Sequence, residues 1–315
     1  MNLVDNIGIS YRGDYIRQGS QIDKIKQAIK LKLNNVELYI RDDGKDFSID
    51  NVSKGLNGNV CFHLPTISNN LSNLNFINDI AIDLLKYNIK FITLDASTLL
   101  LDSFEFSTLE EQKNYIKNIA SGIAKIASNN IVVAIENVND YKGEELFGKN
   151  IENISDLVVY TKEILVNKYE FTREKADNII GVSLNLRRME TGYENWFKVF
   201  KDIIKCIKLN NNFENVEYYE KIFNLILNYN INVPIFLQTD SDIEEITNEY
   251  RKIIYLVTNK MENKPLNFIG FYDIDNGKKD KYIKPSQSGF TNILVITMII
   301  LTIIIAILMF YVRLK

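Results

Sequence analysis

Val60-Cys61-Phe62-His63-Leu64-Pro65 is a run of apolar side chains that carries the only histidine of the chain and stops at a proline. Its length and continuity predict a buried strand that runs into a turn. Outward from it, seven more short runs rich in β-branched residues have the same form: Ile7–Ser10, Val36–Ile40, Phe91–Asp95, Ile131–Asn137, Ile180–Asn185, Cys206–Leu209 and Val233–Gln238. Between them lie stretches with apolar residues at threes and fours, the helical period: Gln21–Leu33, Asn75–Tyr87, Leu109–Ala127, Asn153–Val166, Trp196–Ile204, Tyr218–Leu227 and Ile243–Val257. Strands that alternate with helices predict a parallel sheet. Eight such units over residues 1–260 predict a (β/α)8 TIM barrel, whose site is built where the strand C-termini meet the following loops. A doubly wound open sheet is the alternative, but no Gly-rich phosphate fingerprint follows the first strand.

At 46% apolar and 24% charged, the 315 residues have the composition of a folded protein with a sizeable core. The net charge of −3 supplies no general basic field and argues against nucleic acid as a partner. Cys61 and Cys206 sit in apolar runs and not in a spaced framework, which fits packing in the core better than a disulfide scaffold. The first residues lack the basic and apolar regions of an export signal. The far end differs. Ile293–Val312 is apolar apart from Thr297 and Thr302, and about 20 residues at 1.5 Å each match a hydrocarbon core of ~30 Å. A single C-terminal transmembrane helix is therefore expected over 291–312, with a short basic tail at 313–315. Residues 261–290 supply one further strand candidate, Asn267–Asp273, and a polar tether. Lys278, Lys279, Lys281 and Lys284 in that tether predict a cytoplasmic N-terminal domain, with the lipid bilayer engaged through 293–312.

Seven of the strand runs end on a polar or charged residue: Glu37, His63, Asp95, Glu136, Asn185, Lys208 and Gln238. In a barrel these converge on one mouth. Seven such groups in one pocket predict a site, whereas any one of them alone would pass for the start of a solvated loop.

Three stretches together resemble a known family. Ile135-Glu136-Asn137, Gly181-Val-Ser-Leu-Asn-Leu-Arg-Arg188 followed by Gly192-Tyr193, and Pro234-Ile-Phe-Leu-Gln238-Thr-Asp are similar to the fifth, sixth and eighth strand motifs of the endonuclease IV and xylose-isomerase-like TIM barrels. The resemblance runs over most of residues 6–258. It implies a mouth that holds divalent metal, with abasic-site DNA cleavage or sugar isomerisation and epimerisation as the activities. Carried over by position, His63 and Glu136 keep the family's ligand types. Asp95 stands for a histidine, Asn185 for an aspartate, Arg188 and Lys208 for histidines, and Gln238 for a glutamate. Asn and Gln keep the shape of a carboxylate without its charge, while Arg188 and Lys208 bring fixed positive charge. The expectation is a degenerate, metal-free cluster in which Glu136 pairs with Arg188 or Lys208, with no cofactor. A weak site of His63, Asp95 and Glu136 is the remaining metal option.

The leading functional expectation is a membrane-anchored binding or assembly module. Its pocket of His63, Asp95, Asn185, Arg188, Lys208 and Gln238 would take a small anionic or sugar-like ligand. The alternative is a sugar or sugar-phosphate isomerase or epimerase, with Glu136 and Glu37 as the catalytic carboxylates for proton transfer and Lys208 in place of the metal. A metal-dependent abasic-site endonuclease ranks third, because it needs the metal cluster and a basic surface that the sequence withholds.

Overall fold

All eight runs form strands: β1 (Ile7–Tyr11), β2 (Asn35–Tyr39), β3 (Asn59–Leu64), β4 (Phe91–Asp95), β5 (Val132–Glu136), β6 (Ile180–Asn185), β7 (Ile204–Leu209) and β8 (Ile235–Thr239). In this computed structural model each strand pairs in parallel with the next, and β8 pairs with β1 to close the barrel. The structure describes residues 3–11, 21–40, 59–68, 71–97, 99–139, 144–189, 192–239, 241 and 243–266. The expected transmembrane helix at 291–312, the strand at Asn267–Asp273 and the Lys-rich tether lie outside the described residues. Among the described residues no helix is long and apolar enough to cross a membrane.

Strand side chains alternate between the barrel interior and the surrounding helices. In β3, Cys61 and His63 face inward, and Val60, Phe62 and Leu64 face the helices. Near the N-terminal ends of the strands the interior is apolar, with Cys61, Cys206 and Phe236 packed together against Phe91. Further along the strands the inward residues are polar: Glu37 and Tyr39 on β2, His63 on β3, Thr93 and Asp95 on β4, Glu136 on β5, Ser183 and Asn185 on β6, Lys208 on β7 and Gln238 on β8. An apolar floor thus underlies a polar mouth.

Closure depends on two glycines. A Cβ on Gly8 would stand 2.1 Å from the Asn35 carbonyl oxygen, and one on Gly181 would stand 2.2 Å from that of Ile203. Both strands meet their neighbours too closely for any side chain.

Outside the strands, the amphipathic helices bury their apolar stripes against the barrel. Leu109–Ala127 matches its expected span, starts at a capping box between Thr108 and Glu111, and buries Ile116, Ile119, Ala120, Ile123 and Ile126. The helix expected at Trp196–Ile204 is instead Tyr193–Phe200, because Ile204 already pairs with Val182 as the first residue of β7. Three short helices, Leu3–Asn6, Leu101–Glu105 and Arg173–Ile179, were not evident from the periodicity. Each is too brief to show a repeating stripe.

Candidate functional site

Lys208 is the centre of the polar layer. β7 places it on the inward face, and its side chain is fully buried. Its Nζ lies 2.7 Å from Glu37 Oε1 and pairs at still shorter range with Glu136 Oε2. Tyr39 Oη and His63 Nδ1 are each 3.4 Å from it. The two carboxylates have further donors of their own. Glu37 accepts from Ser10 Oγ and from Thr93 Oγ1 at 2.6 Å, and Glu136 accepts from Ser183 Oγ at 3.0 Å and Asn185 Nδ2 at 2.7 Å. Every one of these side chains except Tyr39 is buried.

Arg188 extends the network toward the mouth. It sits in a short 3-10 turn, Leu186–Arg188, that leaves β6 at Asn185. Both of its terminal nitrogens donate to Asp95, Nη1 also donates to the Asn137 carbonyl at 2.8 Å, and Nη1 is 3.3 Å from Glu136 Oε1. Asn137 and Asn185 lock the start of this turn. The Asn185 amide donates to Asn137 Oδ1 at 2.7 Å, and Asn137 Nδ2 returns a bond of 3.1 Å to the Asn185 carbonyl. Asn185 Nδ2 also reaches Gln238 Oε1 at 3.1 Å, and Gln238 Nε2 donates to Tyr39 Oη at 3.0 Å. Tyr39 stacks on His63 with ring centroids 4.2 Å apart. Two buried polar atoms in this network have no partner among the described residues, the acceptor Asn185 Oδ1 and the donor Arg188 Nε.

The electrostatics follow from burial and pairing. Burial works against the Lys208 ammonium, but Glu136 and Glu37 outweigh it and raise its pKa well above the ordinary lysine value. Burial likewise opposes ionisation of Glu136, yet Lys208, Arg188 and His63 prevail and hold its carboxyl well below the usual range. Asp95 is lowered in the same way, chiefly by Arg188 against its own burial. For His63, burial and then the Lys208 charge pull the pKa down to about 4, against the opposing pull of Asp95, Glu136 and Glu37. The imidazole is therefore neutral at pH 7. Cys61 and Cys206 are pushed up, first by burial, and stay as thiols.

The residues do not fit the divalent metal that the resemblance implied. Among the described residues, the groups that approach one another closely enough are Glu37, His63 and Glu136, whose ligand atoms all lie within 4.8 Å of each other. This differs from the expected set of His63, Asp95 and Glu136. Asp95 is drawn away by its two bonds to Arg188 and stands 3.7 Å from His63 Nε2. The three converging groups surround the Lys208 ammonium, and zinc bonds of about 2.0–2.2 Å leave no position among them clear of that nitrogen. A fixed positive charge there repels a cation as well.

The structure brings all seven expected strand-end residues and Arg188 into one connected network. Its other members, Ser10, Tyr39, Thr93, Asn137 and Ser183, escaped the sequence reading. A signal for four of them was present. Thr93 and Ser183 lie two residues before Asp95 and Asn185, Tyr39 lies two after Glu37, and Ser10 is the polar end of the remaining strand. Period two places each on the inward face.

No family model and no curated protein matches the sequence. Solved structures do match in fold. D-psicose 3-epimerase from Clostridium cellulolyticum H10, solved with D-tagatose, superposes with a TM-score of 0.55 at 11% identity, over 74% of this chain and 84% of that one. A sugar phosphate isomerase/epimerase from Parabacteroides distasonis gives 0.53 at 10% identity, over 79% and 93%. The probable 3-DHS dehydratase involved in petrobactin synthesis in Bacillus anthracis gives 0.53 at 11%, over 78% and 96%. Xylose isomerase-like TIM barrels are among the neighbours, which is the kind of barrel that the sequence resembled. At this level of identity the likeness is one of fold.

Proposed function

We propose that this chain is a membrane-tethered barrel that binds a small, neutral, hydroxylated compound at a metal-free mouth, and that it does not carry out metal-dependent sugar isomerisation. The observation that carries this reading is the state of Glu136. It is fully buried and already engaged by Lys208, Arg188, Asn185 and Ser183. A carboxylate held so acidic is a weak proton acceptor, and catalytic bases work best with a pKa near the operating pH. Lys208 and Arg188 each face two carboxylates, so their charges are neutralised within the protein and offer little to an anionic ligand. The unpartnered Asn185 Oδ1 and Arg188 Nε instead complement a hydroxyl group, which donates and accepts at once. Tethering rests on the apolar stretch 293–312 and the lysines before it.

The test is hydrogen exchange from ketoses into deuterated water, followed by NMR with full-length protein in detergent and with Mn2+, Co2+ or Mg2+ supplied. Sugar resonances are expected to broaden on binding without exchange at carbon. Metal-stimulated exchange that disappears in Glu136→Gln would establish the isomerase or epimerase reading in its place.

A further inference from the structure

The polar layer of this barrel has the construction of a cation site, and we infer that Lys208 Nζ is its built-in occupant, standing where a divalent ion would bind if the lysine were removed. The inference rests on the metal-free reading of the mouth and extends it to the cluster of Glu37, His63 and Glu136.

What holds the three surrounding groups decides whether the site outlasts the lysine. If Lys208 alone kept them in place, they would part once it was gone. Each has independent support. Glu37 is fixed by the hydroxyls of Ser10 and Thr93, and Glu136 by Ser183 Oγ and Asn185 Nδ2. His63 is held by the Tyr39 ring stacked at 4.2 Å; its Nδ1 lies 3.4 Å from Lys208 Nζ and 3.0 Å from Thr93 Oγ1, a contact that a metal at this nitrogen would replace. The bonds to Glu37 and Glu136 are of the kind that orient ligands around a metal. Glu37, His63 and Glu136 come from β2, β3 and β5, so barrel closure and not a flexible loop sets their spacing. The chemistry of the set also suits an ion: two carboxylates and one imidazole, all within 4.8 Å, is a three-ligand arrangement of the kind that binds zinc or manganese. The ammonium donates to carboxylate oxygens at 2.7 Å and shorter, from the position a metal would take, and supplies one positive charge where the ion would supply two.

Lys208→Ala tests this by emptying the position while leaving the three groups in place. In native mass spectrometry the full-length variant is expected to take up about one equivalent of Zn2+ or Mn2+ and to melt at a higher temperature when that metal is added. The unaltered protein should do neither, and adding Glu136→Gln to the variant should abolish uptake. If Lys208→Ala folds only with metal present, and loses its fold to a chelator, that also supports the inference. A Lys208→Ala protein that folds and binds no metal overturns it. So does one that fails to fold with or without metal while the Lys208→Ala/Glu136→Gln protein folds. Stoichiometric metal in the unaltered protein would overturn the metal-free reading instead.

Discussion

Arg188 shows how strongly single residues are committed inside this mouth. Its guanidinium serves Asp95, Glu136 and the Asn137 carbonyl together, and its side chain is 5% exposed. Arg188→Ala leaves Glu136 and Asp95 short of a partner, and removing one member of a buried ion pair costs about 3–5 kcal/mol. Chemical denaturation should show a loss of that order. Arg188→Lys should recover only part of it, since a point charge cannot reproduce the paired bonds to Asp95. His63 predicts a pH dependence. Its pKa is lowered to about 4 in the folded protein, below the ordinary histidine value of about 6.5, so on acidification the unfolded chain takes up a proton before the native one does. Stability contributed by the neutral imidazole is full above about pH 6.5 and is lost as the pH falls toward 4, by roughly 3 kcal/mol at most. Denaturation midpoints measured across that range should fall, and His63→Gln should flatten this part of the profile. A profile unchanged by His63→Gln would contradict the assignment. The strand-end members of the network were legible in the sequence because each interrupts an apolar run. Which of them pair was not, because Arg188 reaches Asp95 across 93 positions, a separation that no local pattern encodes.

Among the elements, the strands were the most legible and the helix ends the least. Short runs of Val and Ile bounded by polar residues have one reading in an alternating pattern. Ile203 and Ile204 fit two readings, as the last turn of a helix or the start of a strand, and pairing of Ile204 with Val182 decides for the strand. The register shift between Val182 and Ser183 lies at the same place, and after it Asn185 stands beside Lys208. Gly8 and Gly181 give the sharpest test at this scale. Gly8→Ala puts a methyl group against the Asn35 carbonyl oxygen, and the strands must separate to admit it. A loss of about 3 kcal/mol or more is expected from thermal unfolding, as for other overpacked sites. The exposed capping box gives a graded comparison: Thr108→Ala should cost about 1 kcal/mol and leave the mouth unaffected.

For the whole molecule, the barrel and its tether make separable predictions. If the stretch 293–312 anchors the chain, the full-length protein should stay with the membrane fraction through alkaline carbonate extraction, and the chain ended after residue 267 should be released. Release of both would remove the anchor from the account and leave the barrel as it is. Protease added outside sealed cells should spare the barrel if the lysine-flanked side faces the cytoplasm. The barrel as a whole was readable from the count of eight alternating units, since parallel closure is what such a sequence can satisfy most simply. That Lys208 reaches two glutamates at once, one from β2 and one from β5, appears only when the sheet is closed into a ring. The interior cation of this barrel is Lys208, held by Glu37 and Glu136, in the place of a metal. The most direct test is elemental analysis of the full-length protein purified from medium supplemented with zinc and manganese. Well under one equivalent of either metal is predicted, whereas about one equivalent per chain, removable by a chelator with a fall in melting temperature, would contradict the account.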